Sequence, residues 1–197
     1  GTIRELIKHS DLEEIILCEI DEDVVNVCKT FFPNISSGFS DSRVKVEIAD
    51  GIEFVKKHDD YFDLIIVDST DPIGPGEVLF TKEFYSYVAK ALKFDGLMVA
   101  QTESPWADKS VLRMIHKNIR ENFSWSRPYI GAIPSYPRGT WSWTLASKKD
   151  IQIDSFDKKR FSKVVESLSY LTADSVKSIF CIPKFFANKL KNLINYN

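Results

Sequence analysis

Leu64-Ile65-Ile66-Val67-Asp68-Ser69-Thr70-Asp71-Pro72-Ile73-Gly74-Pro75-Gly76 is the stretch on which the fold turns. Its first four residues are an uninterrupted apolar run, the pattern of a strand buried on both faces of a parallel sheet. The rest cannot extend that strand, because two prolines fix φ and two glycines free it, so the chain must turn. The strand therefore ends by delivering two carboxylates, Asp68 and Asp71, into a stiff loop. In open α/β sheets ligands bind at the carboxyl ends of the strands. Two acids there suit a cationic substrate and a proton abstraction. Asp-Ser-Thr-Asp-Pro is equally ordinary turn chemistry, with Asp and Ser accepting from backbone N–H groups. On these residues alone both readings stand.

On either side of this stretch, helical and strand patterns alternate. Upstream, Thr2 to Lys8 reads as a short helix and Glu14 to Asp21 as a strand ending in acids. Asp21 to Phe32 reads as a helix ended by Pro33, and Asn34 to Ser42 as a Ser/Gly-rich loop. Arg43 to Ala49 reads as a strand, and Ile52 to Lys57 as a short helix after Asp50-Gly51. Downstream, Thr81 is placed to cap a helix with Phe84, Val88, Ala91 and Leu92 on one face. Asp95-Gly96 reads as a turn before a strand over Leu97 to Gln101, and Asp108 to Asn122 as an amphipathic helix. Two aromatic-rich strands, Trp125 to Ile133 and Thr140 to Ser147, flank Pro134-Ser135-Tyr136-Pro137-Arg138-Gly139. Helices are expected near Lys158 to Tyr170 and Pro183 to Ile194. The fold class is α/β: a doubly wound Rossmann-like sheet, mostly parallel, with an antiparallel strand at its end and helices on both faces.

Bulk properties bound the function. The chain has 197 residues, 44% hydrophobic and 27% charged, with net charge -2, which gives no general attraction to nucleic acid or anionic membrane. No apolar run is long enough to span a bilayer. Cys18, Cys28 and Cys181 are scattered, as in a reducing compartment, and His9, His58 and His116 show no metal-ligand spacing.

Further acids fall at strand ends. Gly1 followed by a helical segment reads as the end of a Gly-rich turn, and Glu19 lies about 20 residues on, where an acid accepts from ribose hydroxyls. Asp50 ends the next strand, where a carboxylate can accept from an adenine amino group and Gly51 lets a base approach the backbone. Acids after three successive strands would repel a phosphate. They suit a cationic nucleoside such as a sulfonium.

These residues resemble the spermidine synthases, the polyamine aminopropyltransferases. The resemblance rests on Gly1 to Glu5, Cys18 to Val25, Phe31 to Pro33 and Ala49 to Gly51. It continues through Asp68 to Pro75, Pro134 to Pro137 and Ile182 to Phe185, the Asp-Ser-Thr-Asp-Pro and Ser-Tyr-Pro pieces being the specific ones. It implies transfer of an aminopropyl group from decarboxylated S-adenosylmethionine to putrescine, giving spermidine and methylthioadenosine. By the same resemblance Asp68 is the catalytic base and holds the amine with Asp71 and Tyr136. Glu19 binds the ribose, Asp50 and Gly51 bind the adenine, and Pro75 lines the nucleoside pocket. Gln101 and Glu103 fall on the next loop with no specific role. No cofactor is expected, the adenosyl compound being a co-substrate, and no metal. The partners implied are the two small-molecule substrates, with no nucleic acid or membrane, in a cytoplasmic homodimer or homotetramer.

The family pattern includes a small N-terminal β-domain, a first strand and a Gly-rich turn, absent here but for Gly1. The expectation is a single catalytic domain over 1–197, with 150–197 a C-terminal helical extension. Such a fragment should be poorly soluble or oligomeric alone and show little transfer. Two other functions fit the residues: methyl transfer to putrescine or another small amine, and a non-catalytic nucleoside-binding module. Base methylation fits less well, since Asp71-Pro72-Ile73-Gly74 lacks the aromatic of amino-directed enzymes and no basic groove is evident.

Overall fold

A computed structural model describes residues 1–153 and 157–195. The apolar runs form β1 (Ile15–Glu19), β2 (Val44–Ile48), β3 (Phe62–Val67), β4 (Leu92–Gln101), β5 (Trp125–Ala132) and β6 (Thr140–Ser147). The helices are α1 (Thr2–Leu6), α2 (Glu22–Phe31), α3 (Pro33–Ser36), α4 (Gly51–Lys56), α5 (Lys82–Ala91), α6 (Lys109–Arg120), α7 (Lys158–Val164), α8 (Ser175–Ser178) and α9 (Lys184–Lys189). The chain falls into two compact units. One comprises Gly1–Val55 with Asp157–Leu171, and the other comprises the remainder.

In the first unit β1 and β2 pair in parallel, Ile15 opposite Val44 through Glu19 opposite Ile48. Arg43 organises the approach to β2. Its guanidinium donates to the carbonyls of Ile7 and His9, both at 2.8 Å, satisfying groups left open beyond the end of α1. It also pairs with Asp41 at 2.8 Å, which holds that carboxyl down at about 2.

In the second unit the sheet order is β3-β4-β6-β5. β3 and β4 are parallel, and β6 runs antiparallel to both β4 and β5. α5 is set by Thr81, whose hydroxyl accepts from the Phe84 N–H at 3.2 Å, and it buries Phe84, Tyr85, Val88 and Ala91. α6 buries Leu112, Ile115, His116 and Ile119. Its Leu112 packs with Ala107, Ile182, Phe186 and Leu190 in one cluster, bringing α9 against it. Lys189 locks this packing by donating to the carbonyls of Pro105 (3.0 Å) and Ala107 (2.9 Å).

Several local expectations are corrected. Pro33 follows the end of α2 but also opens α3, because a missing N–H costs nothing at the first helical position. A 3-10 turn over Ser37–Ser40 follows, so this region is not an open loop. Asp95-Gly96 is not a turn: β4 runs through it, and the register with β3 slips between Phe62 and Leu64. Gly96 permits that, since a Cβ there would lie 3.0 Å from the carbonyls of both Lys93 and Phe62. α7 stops at Val164 and α9 at Lys189, each passing into i→i+3 turns that close on Leu168 and Leu193. α8 is not among the expected helices, and the turn leading into it is tied by Thr172 and Ser175, each side chain accepting from the other's N–H at 3.2 and 2.8 Å.

Candidate active site

In the second unit, β3 buries Val67 and then releases Asp68, which is exposed at the start of the loop. Asp71 follows, its carbonyl accepting from the Ile73 N–H at 2.7 Å, and a 3-10 turn over Gly74–Phe80 leads to α5. Gly76 is buried under this loop. A Cβ there would sit 2.7 Å from the Asp71 carbonyl oxygen and closer still to the Thr70 hydroxyl, so only glycine lets the loop close this tightly.

The loop is also held from the neighbouring strand. Gln101 is the last residue of β4 rather than a loop residue, and only 5% of it is exposed. Its Nε2 donates to the carbonyls of Ser69 and Thr70, both at 3.1 Å, while its Oε1 accepts from the Trp141 indole N–H at 2.6 Å. Tyr136, half exposed, lies in the short β5–β6 connection closed by Gly139 at φ +64°. It packs edge-on against Trp141 with ring centroids 4.7 Å apart. The Ser69–Thr70 backbone, just before Asp71, and the Tyr136 ring are therefore linked through Gln101 and Trp141.

A third carboxyl joins them. Glu103 is buried, and burial pushes it above the usual carboxylate range. The Ser104 N–H, 3.1 Å from Oε2, opposes that shift, as does the charge of Arg138, while the charge of Asp71 and a hydrogen bond with its side chain add to it. The Glu103 backbone is left-handed (φ 71°), and its carbonyl accepts from the Ser142 N–H (3.0 Å) and hydroxyl (2.6 Å). Behind it, Thr102 bonds to Ser142 and Thr144, hydroxyl to hydroxyl, at 3.1 Å each. Tyr129, stacked on Trp143 at 5.6 Å, is pushed up to about 12 by burial, with the charge of Asp68 adding to the shift.

In the first unit, Glu19 ends β1 and Asp50 follows β2, where the Ala49 N–H donates to the Glu19 carbonyl at 3.0 Å. Burial raises the Cys18 thiol, and the charges of Asp50 and then Glu19 add to it, so both acids sit at one end of this strand pair. Both carboxylates also serve the local backbone. Glu19 accepts from the Asp21 N–H (3.0 Å), and Asp50 accepts from the N–H groups of Ile52 (2.7 Å) and Glu53 (3.2 Å). Gly51 opens α4 with open space where a Cβ would stand, leaving room at the backbone. Pro75 lies in the 3-10 turn, and its side chain falls outside what the structure describes.

Structure thus groups Asp68, Asp71 and Tyr136 in the second unit, and Glu19, Asp50 and Gly51 in the first. It adds Tyr129 and Trp141, and it puts Glu103, named from the sequence with no role, beside Asp71. Trp141 left no local signal. Among the described residues no group of three or more His, Cys, Asp or Glu is placed to hold a metal ion, and no helix is long and apolar enough to cross a membrane.

Parallel strand pairs ending in acids, β1-β2 in one unit and β3-β4 in the other, with β6 antiparallel, are those of a Rossmann-like fold of the methyltransferase type, and solved structures agree. A spermidine synthase in complex with the transition state analogue AdoDATO superposes with a TM-score of 0.91 at 39% identity, covering 96% of this chain and 65% of that one. The spermidine synthase from Thermotoga maritima gives 0.89 at 38%, over 96% and 64%. The Spermine/spermidine synthase domain model matches residues 1–158, and the chain belongs to that family. A polyamine aminopropyltransferase of Caldicellulosiruptor saccharolyticus is 43% identical over 187 residues, which are 94% of this chain and 66% of the relative. One from Clostridium beijerinckii is 43% identical over 195 residues, 98% and 69%. The chain spans about two thirds of the length of the curated relatives it matches.

Proposed function

We propose that the protein transfers the aminopropyl group of decarboxylated S-adenosylmethionine to putrescine, releasing spermidine and methylthioadenosine. The observation that carries this reading is the meeting of Asp71 and Glu103 at a loop that also bears Asp68 and is braced, through Gln101 and Trp141, to the ring of Tyr136. Family membership supports it. A diamine is dicationic near neutral pH, and an ammonium is no nucleophile. Asp68 takes the proton from the attacking nitrogen, Asp71 and Tyr136 hold the amine, and Glu103 adds negative charge beside Asp71. The free amine attacks the carbon next to the sulfonium. A C–N bond forms as the C–S bond breaks, and the sulfonium leaves as a neutral thioether. Holding amine and base on one rigid turn removes the entropy cost of bringing them together.

In the first unit Glu19 accepts from the ribose hydroxyls, and Asp50 and Gly51 take the adenine. In the second, Pro75 lines the nucleoside pocket. The donor is a co-substrate, so no further cofactor is assigned. The protein acts in the cytoplasm as a homodimer or homotetramer. A coupled assay with a panel of amines, scoring methylthioadenosine release, tests the reaction. Putrescine should be turned over with methylthioadenosine as product. Release of adenosylhomocysteine with a methylated amine would replace this reading with methyl transfer, and binding without turnover would leave only a nucleoside-binding module.

A further inference from the structure

We propose that Gln101 and Trp141 act as a clamp that positions the acidic loop for the reaction. This rests on the aminopropyl-transfer reading only for what the loop does, not for the clamp itself. An indole N–H can only donate, and backbone carbonyls can only accept. Gln101 stands between the two kinds: its Oε1 meets the Trp141 N–H at 2.6 Å, and its Nε2 meets the carbonyls of Ser69 and Thr70 at 3.1 Å. One orientation of the carboxamide satisfies all three bonds, and the reverse satisfies none. Trp141 therefore fixes which way the amide points, and the amide fixes the peptide units lying between Asp68 and Asp71.

Burial makes the arrangement stiff. Gln101 is 5% exposed and Trp141 9% exposed, so water does not readily replace a lost bond. Gly76 closes on the same loop at Thr70 and Asp71, so the loop is gripped at adjoining residues. Tyr136 leans on the Trp141 ring, which sets the amine-holding phenol and the acids by one shared element. Both amide hydrogens of Gln101 are committed to the loop, and its role is that of a positioning residue, not a catalytic one.

Gln101→Glu keeps the shape but faces two carbonyls with an oxygen, and Trp141→Phe keeps the ring against Tyr136 but removes the N–H. Each variant of the full protein should lower kcat and raise the amine KM, together reducing kcat/KM by about ten- to a hundred-fold, the scale of a misplacement near 1 Å. Affinity for methylthioadenosine should fall far less than affinity for the amine, and each variant should still unfold cooperatively in urea, at a midpoint lowered by the buried bonds it loses. The double variant should cost no more than the worse single, since both break one unit. Wild-type kcat/KM in both variants, or equal losses in amine and nucleoside affinity, would overturn the clamp.

A second readout does not depend on turnover. With ¹⁵N-labelled tryptophan, one slowly exchanging indole N–H signal should vanish in Trp141→Phe and move in Gln101→Glu. A Trp141 signal unmoved by Gln101→Glu would overturn the clamp even in an active enzyme. If the wild type transfers no aminopropyl group while that signal moves, the function falls and the clamp stands.

Discussion

His116 should make the protein lose stability in mild acid, by an amount the structure sets. The ring lies on the buried face of α6, near Phe186, with neither nitrogen hydrogen-bonded among the described residues. Burial alone lowers it from 6.5 to about 3. Below pH 6.5 the unfolded chain takes up a proton here that the folded chain refuses until about pH 3. Folding stability therefore falls as pH drops through that window and is recovered above it. At pH 5 the unfolded form gains RT ln(1 + 10^1.5), or about 2 kcal/mol, relative to pH 8. For a chain of this size that is roughly 4–8 °C in melting temperature. His116→Leu fills similar space without polar atoms. Comparing urea unfolding of the two proteins at pH 8 and pH 5 cancels every other titrating group. At pH 8 the variant should match or exceed the wild type by up to about 1 kcal/mol, since two buried unpaired nitrogens are removed. At pH 5 its advantage should grow by about 2 kcal/mol. An advantage that is the same at both values would refute the reasoning and mean that the ring has a partner or reaches water.

Asp68→Asn should lower turnover by roughly two to four orders of magnitude, the range for a lost general base, with donor affinity little changed. Near wild-type turnover at neutral pH would remove Asp68 from the mechanism. Glu19→Gln should weaken methylthioadenosine binding by about 1.5–3 kcal/mol in calorimetry, and unchanged affinity would end the ribose assignment. Gly76→Ala should push the acidic loop off its place, costing about 1–3 kcal/mol of stability and at least roughly ten-fold in turnover. A crystal structure showing Asp68 and Asp71 undisturbed in that variant would contradict the close approach.

The legible parts were those where one local pattern decides. The apolar runs gave β1 through β6, and Asp21, Thr81 and Asp108 cap α2, α5 and α6 through their own side chains. Asp68 and Asp71 could be singled out because Pro and Gly force the chain to turn just beyond them. What could not be read depends on contacts distant in sequence. Gly96 looks like a turn until a neighbouring strand passes close to it. Trp141 looks like one more alternating strand residue, and only the pairing of β4 with β6 brings its indole to Gln101, forty positions away. Glu103 required knowing that the chain leaves β4 into a buried corner beside Asp71. The short C-terminal helices were misjudged because apolar spacing does not distinguish one helical turn from three.

Glu103 also bears on how this chain changes over evolutionary time. Its left-handed backbone (φ 71°) costs an L-residue such as Glu about 1–2 kcal/mol, and Asn tolerates that conformation far better. Selection for stability alone would therefore replace it. Under the proposed function, Glu is kept at this position for the amine it helps to hold. In duplicated copies released from that demand, Asn should arrive at 103 before the surrounding core begins to drift. Made deliberately, Glu103→Asn should unfold at higher denaturant while losing affinity for the amine, and a variant no more stable than its parent would show that the backbone there carries no such strain.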